Sequence, residues 1–190
     1  LSVNAIAQDN IINAAEHNQP LTISGKTDAE AGQIVTVTLN GKNHTATVAS
    51  DGTWSVTLPA GEVQAMANGG HTLTVNVSDK AGNGSSTTAD FTVDTTAPVV
   101  TINTVAGDDI LNTSEQGQAQ IISGQAAGAV AGDVVTVTVG GQTFTGVVLA
   151  DGSWSVGVPA SVLGALGEGS HTISVSVTDA AGNTGSATHG

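Results

Sequence analysis

The sequence predicts an all-β chain built as two copies of one small sandwich module. Three observations carry that reading. First, apolar residues alternate with Thr and Ser in Ile34-Val-Thr-Val-Thr-Leu39, Trp54-Ser-Val-Thr-Leu58 and Leu73-Thr-Val-Asn-Val77. This is the period-two pattern of half-buried strands, and its β-branched residues favour a pleated surface. Second, turn-forming pairs punctuate the runs: Asn40-Gly41, Gly140-Gly141, Asp51-Gly52 and Asp151-Gly152 each read as joining hairpin strands. Third, the chain repeats itself. Val3-Asn-Ala-Ile-Ala-Gln-Asp-Asn-Ile-Ile-Asn13 matches Ile102-Asn-Thr-Val-Ala-Gly-Asp-Asp-Ile-Leu-Asn112 at an offset of 99. After one inserted residue the offset becomes 100, where Asp51-Gly-Thr-Trp-Ser-Val matches Asp151-Gly-Ser-Trp-Ser-Val and Asp79-Lys-Ala-Gly-Asn83 matches Asp179-Ala-Ala-Gly-Asn183.

Taken in order, the first copy reads as seven strands near residues 2–6, 21–27, 33–39, 43–49, 53–58, 71–78 and 86–93. Residues 7–20 read as a loop, and the only helical signal is a turn after Pro59 and Pro159, where Val63 and Met66, or Leu163 and Leu166, sit three apart. Seven short antiparallel strands in about 95 residues describe an immunoglobulin-like sandwich, so the chain divides into module 1 at 1–94, a linker at 95–98 and module 2 at 99–190. The linker carries Ala97-Pro98. Proline fixes its own φ and biases its predecessor to extended geometry, so this is a short, semi-stiff connector. An odd strand number brings the chain in at one pole and out at the other, which strings modules into a rod. The loops at 7–20 and 59–70 then fall at the C-terminal pole, and those at 28–32, 50–52 and 79–85 at the N-terminal pole. Leu1 aligns with Val100, and the sequence stops at Gly190 before any counterpart of Phe91-Thr-Val-Asp94, which reads as an excerpt from a longer array with a truncated last strand.

Composition narrows the function. Three lysines (Lys26, Lys42, Lys80) and no arginine stand against 16 acidic residues, a formal net charge of −13. Such a surface repels phosphate backbones and anionic lipid, which argues against nucleic-acid partners and membrane-surface roles, and it attracts cations. The absence of cysteine removes disulfides, thiolate metal sites and thiol nucleophiles. No apolar run is long enough for membrane insertion, and the start of the sequence lacks a signal-peptide pattern.

The loop sorting places oxygen donors together. Asp9, Asn10 and Glu16 of module 1 are expected to face Asp151, Asp179 and Asn183 of module 2, with Asp94 of the linker region between them. The equivalent positions Asp108, Asp109, Glu115 and Asp79 complete the candidate set. Calcium is the cation these suggest, because it takes six to eight oxygens from carboxylates, amides and carbonyls in tolerant geometry. The alternative is that Asp and Asn serve turns alone. Trp54 and Trp154 fit a sugar-stacking platform by type, but they are in phase with Val56 and Val156 and read as core. The matched His71 and His171 read as strand-start residues. Gly25-Lys26-Thr27 lacks the first glycine of a phosphate loop, no Gly-x-Ser-x-Gly elbow occurs, and two near-equivalent copies argue against an active site. The chain reads as non-enzymatic.

Asp94-Thr-Thr-Ala-Pro98, Asp-Gly-x-Trp-Ser-Val, Ser/Thr-Asp-x-Ala-Gly-Asn and Ala-Gly-Asp-Asp-Ile-Leu-Asn together resemble the bacterial immunoglobulin-like repeats in the extender region of giant RTX adhesins secreted by type I systems. The resemblance covers essentially the whole chain, twice. It implies a monomeric, extracellular stalk segment at the bacterial cell surface, stiffened by calcium near junctions between neighbouring modules. Such a stalk holds distal ligand-binding domains for attachment and biofilm formation. A glycan- or protein-binding module is the alternative reading. Asn10 stands where module 2 has Asp109, so the two copies differ in charge at that position.

Overall fold

The alternating apolar residues of each half of the chain become the facing surfaces of two sheets. The structure, a computed structural model, describes residues 1–190. It divides into two units, Leu1–Thr95 and Thr96–Gly190, each with its own apolar core.

In the first unit the strands are β1 (Ser2–Val3), β2 (Ile11–Ile12), β3 (Leu21–Lys26), β4 (Ile34–Leu39), β5 (Lys42–Thr47), β6 (Thr53–Leu58), β7 (Gly69–Ser78) and β8 (Gly84–Val93), with a single helical turn α1 (Ala60–Val63) after Pro59. One sheet has the order β1-β3-β6 and the other β2-β8-β7-β4-β5. Trp54, Val56 and Leu58 on alternate positions of β6 face Val35, Val37, Leu73 and Val75 of the opposite sheet, and all are buried. Each such aliphatic side chain contributes about 1.5–3 kcal/mol on burial. Asn40 and Gly41 both have positive φ, 50° and 76°, as a two-residue turn matched to strand twist requires, and they register Leu39 opposite Lys42.

Three details differ from the sequence reading. The segment 7–20 is not all loop, because Ile11–Ile12 forms β2, in parallel register with Thr92 and Val93 of β8. Unit 1 therefore has eight strands, the first split between the two sheets. Two residues are too few to display a period, so the strand was invisible to pattern. Second, β1 ends at Val3 rather than residue 6, since Ile6 turns inward in a 3-10 turn, Ile6–Gln8, and is buried there. Third, Asp51-Gly52 does not join hairpin strands. Only Gly52 has positive φ (79°), and the turn carries the chain from β5 in one sheet to β6 in the other. A hairpin of the Asn40-Gly41 kind needs both central residues in that region. The same crossover recurs at Asp151-Gly152 in the second unit, between the strands Gln142–Val147 and Ser153–Val158.

The second unit contains β9 (Val99–Ile102), α2 (Thr113–Gln116), β10 (Gln120–Ala127), β11 (Val134–Val139), β12 (Gln142–Val147), β13 (Ser153–Val158), α3 (Ala160–Leu163), β14 (Ile173–Thr178) and β15 (Thr184–His189). Its sheets are β13-β10-β9 and β12-β11-β14-β15. Trp154, Val156 and Val158 repeat the packing of unit 1. Ile110 and Leu111, the equivalents of β2, form no strand.

One close approach recurs in both units. A Cβ on Gly25 of β3 would stand 1.9 Å from the Ser2 carbonyl oxygen and 2.7 Å from the Trp54 ring, and one on Gly124 would stand 1.9 Å from the Thr101 oxygen and 2.8 Å from the Trp154 ring. The tryptophan ring and the first strand both lean on a bare backbone, which is why glycine sits inside these strands. Gly25 and Lys26 are therefore strand residues, not a phosphate-binding loop.

Candidate functional site: the acidic loops at the poles

Within unit 1, hydrogen bonds group the loops by pole as strand order requires. At the C-terminal pole His17 Nε2 lies 3.0 Å from the Met66 carbonyl, Thr95 N–H and Oγ1–H both donate to Asn68 Oδ1, and Asp94 N–H donates to the Ile12 carbonyl. At the opposite pole Lys80 N–H donates to Glu30 Oε2 and Thr27 N–H to the Gly52 carbonyl. The donor-rich loop 7–20 and Asp94 thus share one end of unit 1, while Asp79 lies at the other.

The candidate side chains of the loops hold local hydrogen bonds. In unit 1 Asp9 Oδ1 accepts from Ile11 N–H at 2.9 Å, Asn10 Oδ1 from Ile6 N–H at 2.9 Å, and Glu16 Oε2 from Asn13 N–H at 3.1 Å. Asn13 Oδ1 in return accepts from Ala15 and Glu16. Unit 2 repeats this set with Asp108 and Ile110 N–H, Asp109 and Val105 N–H, and Glu115 and Asn112 N–H. The Asn112–Glu115 pair is a capping box on α2. The backbone agrees between the copies: Asn10 and Asp109 have φ of 67° and 62°, and Ala7 and Ala106 have 51° and 53°. Non-glycine residues rarely adopt this region, so the loop conformation is held by those side-chain bonds.

The opposite pole is equally regular. Asp79 accepts from Asn83 through both oxygens, at 2.8 Å from N–H and 2.8 Å from Nδ2–H. Asp179 accepts from Asn183 N–H at 2.8 Å, Asn183 Nδ2–H at 3.2 Å and Ala181 N–H at 3.0 Å. Asp151 Oδ1 accepts from Ser153 N–H and Oγ–H. Donation by Asn83 holds the Asp79 carboxyl below its ordinary pKa, and donation by Thr53 and Ser153 does the same for Asp51 and Asp151. Asp109 is lowered chiefly by the Val105 N–H and then by His189, whose Nε2 lies 2.6 Å from Asp109 Oδ1.

These donors are of the hard oxygen type that calcium prefers. No group of three or more His, Asp or Glu side chains gathers at metal-holding distance. Asp9, Asn10, Glu16 and Asp94 belong to unit 1, whereas Asp151, Asp179 and Asn183 belong to unit 2. The sequence reading held turn duty as its alternative for these residues but did not name the partner of each. The Asn13-x-x-Glu16 and Asn112-x-x-Glu115 spacings carried that signal. Trp54 and Trp154 are 3% and 1% exposed, which removes them as sugar platforms.

The model of the bacterial Ig-like domain matches residues 4–95 and again residues 96–190. The chain belongs to the bacterial Ig-like domain family. This Ig-like pair is similar to a solved structure of a Ca2+-stabilised adhesin that helps an Antarctic bacterium bind ice, with 39% identity over 98% of this chain and 46% of that one, at a TM-score of 0.58. It is similar as well to a solved structure of a 1.5-MDa bacterial ice-binding adhesin, with 39% identity over 98% of this chain and 61% of that one, at a TM-score of 0.59. The pair thus spans 46% and 61% of those two chains. Fibronectin(III)-like modules of Clostridium thermocellum CbhA share 14% identity over 98% of this chain and 91% of theirs at a TM-score of 0.57, a likeness of fold alone. No curated protein matches the chain. No helix of the Ig-like pair is long and apolar enough to cross a membrane.

Proposed function

We propose that this Ig-like pair is a structural spacer in the stalk of a bacterial cell-surface adhesin, outside the cell, without catalytic activity. The observation that carries the reading is 39% identity, sustained over 98% of the chain, to adhesins that bind ice. Two separate cores that share no residue support a modular role. The partners are neighbouring modules of the same chain, which acts as a monomer and holds distal ligand-binding domains for attachment and biofilm formation.

Calcium stiffens the joint in this reading. The residues that would hold it are Asp9, Asn10, Glu16 and Asp94 from the first unit with Asp151, Asp179 and Asn183 from the second. Asp79, Asp108, Asp109 and Glu115 are their counterparts toward further modules. Bound there, the ion supplies the positive charge that lets carboxylates of two acidic units approach. The side chains themselves fix their loops through turn hydrogen bonds and so present oxygens in a set arrangement. A net charge of −13 supports a need for such a counter-ion.

Small-angle scattering in millimolar calcium and again in excess chelator tests this, since extracellular calcium modules have affinities of about 10⁻⁴ to 10⁻³ M. A longer and narrower distribution of shapes with calcium is the expected result. Coincident curves remove calcium from the mechanism.

A further inference from the structure

The hairpins that join β4 to β5 and β11 to β12 share a shape but not a chemistry. Asn40 and Gly41 have φ of 50° and 76°, and Gly140 and Gly141 have 57° and 75°. Both are two-residue turns, registering Leu39 opposite Lys42 and Val139 opposite Gln142. Only the first contains an asparagine followed by a glycine. Such a pair reacts with itself in water, because a glycine nitrogen has no Cβ beside it to block its approach to the amide carbon of the preceding side chain. Unit 1 holds three of these pairs, Asn40-Gly41, Asn68-Gly69 and Asn83-Gly84. Unit 2 holds none, with Gly140-Gly141, Glu168-Gly169 and Asn183-Thr184 in their places.

The fold restrains two of the three pairs and leaves one free. The Asn83 amide donates Nδ2–H to Asp79 Oδ2 at 2.8 Å, and Gly84 begins β8 opposite Ser78. Asn68 Oδ1 accepts from the Thr95 N–H at 3.2 Å and from its hydroxyl at 2.8 Å, and Gly69 begins β7 opposite Val93. For either side chain to meet its glycine nitrogen, those bonds and the strand end must open first, and that opening costs free energy. Asn40 is exposed, and its side chain takes no part in the hydrogen bonds of the unit. Beyond the two chain neighbours, no atom lies within 4 Å of the place a Cβ on Gly41 would occupy, so water and base reach this peptide bond.

We propose that Asn40 is a site of spontaneous deamidation, a covalent modification confined to the hairpin tip of unit 1. The Gly41 nitrogen gives its proton to hydroxide and forms a bond to Asn40 Cγ, and the Cγ–Nδ2 bond breaks with loss of ammonia, which closes a five-membered succinimide. Water opens that ring at either carbonyl. One opening leaves aspartate at residue 40, and the other leaves isoaspartate, in which the main chain runs through the former side-chain carbon. In both cases the chain gains one water and loses one ammonia. Isoaspartate adds a backbone carbon to a turn whose two residues set Leu39 opposite Lys42. β5 lies at the sheet edge and pairs with β4 alone, so a lengthened turn loosens it and bares main-chain groups of β4. Lys42 Nζ and His44 Nε2, 3.4 and 3.0 Å from the Glu62 carboxylate of α1, keep the loosened strand close to its place.

The test keeps the whole chain at mildly alkaline pH and follows it by peptide mapping with mass spectrometry, beside a synthetic peptide with the sequence of residues 37–44, Val-Thr-Leu-Asn-Gly-Lys-Asn-His. Asn40 should convert to a mixture of aspartate and isoaspartate within about tenfold of the rate in the free peptide, and Asn68 and Asn83 at least about tenfold more slowly than Asn40. The rate at Asn40 should rise with pH, because the attacking nitrogen must lose its proton. Asn40→Gly, which copies the turn of unit 2, should fold as before and lose no ammonia at this position. Hydrogen exchange in β5 should quicken in the aged chain and stay unchanged in that variant kept alongside it. An Asn40 that survives after the free peptide has converted, or conversion of Asn68 or Asn83 as fast as Asn40, would overturn the site. Unaltered exchange in β5 of the converted chain would overturn its effect on the strand.

Discussion

Asp109 Oδ1 lies 2.6 Å from His189 Nε2, joining the first loop of unit 2 to the end of its last strand. The same oxygen accepts from Val105 N–H at 2.8 Å. In unit 1 the equivalent side-chain oxygen, Asn10 Oδ1, accepts from Ile6 N–H, and Ala89 stands opposite Leu73 where His189 stands opposite Ile173.

A pH dependence follows from that pair. The Asp109 carboxyl is held below its ordinary value of 3.8, so folding favours its charged form. The stability it contributes is present above the unfolded pKa and is lost as pH falls through 3.8 and below toward the folded value. Asp109→Asn keeps the acceptor for Val105 N–H and removes the charge facing His189. Melting curves from pH 7 down to pH 2 should therefore show a shallower acid loss for unit 2 in this variant and an unchanged profile for unit 1. An unaltered unit 2 profile would mean that Asp109 is only a turn residue.

Gly25→Ala and Gly124→Ala give a steric prediction. The added methyl meets a backbone oxygen in each case, and backbone cannot yield as a side-chain end can. Each substitution should destabilise its own unit by about 1–3 kcal/mol, the usual cost of overpacking. Because the two cores share no residue, denaturant unfolding should show one transition displaced and the other in place.

Asp94→Ala separates the joint from the folds. Asp94 contributes its backbone N–H to the Ile12 carbonyl, a bond that alanine retains. Both units should melt as before, while any calcium-dependent change in scattering should shrink or vanish. Unfolding of unit 1 in this variant would show that the carboxylate is part of the core architecture rather than a ligand.

Much of this architecture was legible from residue order. The period-two runs identified β4, β6 and β7, because a half-buried strand must alternate. Asn40-Gly41 identified its hairpin because few residues tolerate two successive positive φ values. What stayed hidden was set by tertiary packing. Ile11-Ile12 is a strand only because Thr92 and Val93 lie alongside, and Asp51-Gly52 changes sheets because Trp54 must face the core from the opposite side. At the poles the sequence offered turn duty as one reading of the carboxylates but not the partner of each. Asn13 and Glu16, or Asp79 and Asn83, satisfy one another and nearby backbone before any ion is considered, and such reciprocity appears only when the turn is built.

The parallel pairing of Ile11–Ile12 with Thr92–Val93 has a mechanical consequence for unit 1. When the two ends of that unit are pulled apart, the segment leading into Ile11 is drawn one way and the segment leaving Val93 the other. The hydrogen bonds between them, Thr92 N–H to Asn10 and Asp94 N–H to Ile12, then strain together in shear rather than opening one after another like a zipper. Four residues thereby act as a latch that resists extension, placed where traction from the C-terminal side enters the unit.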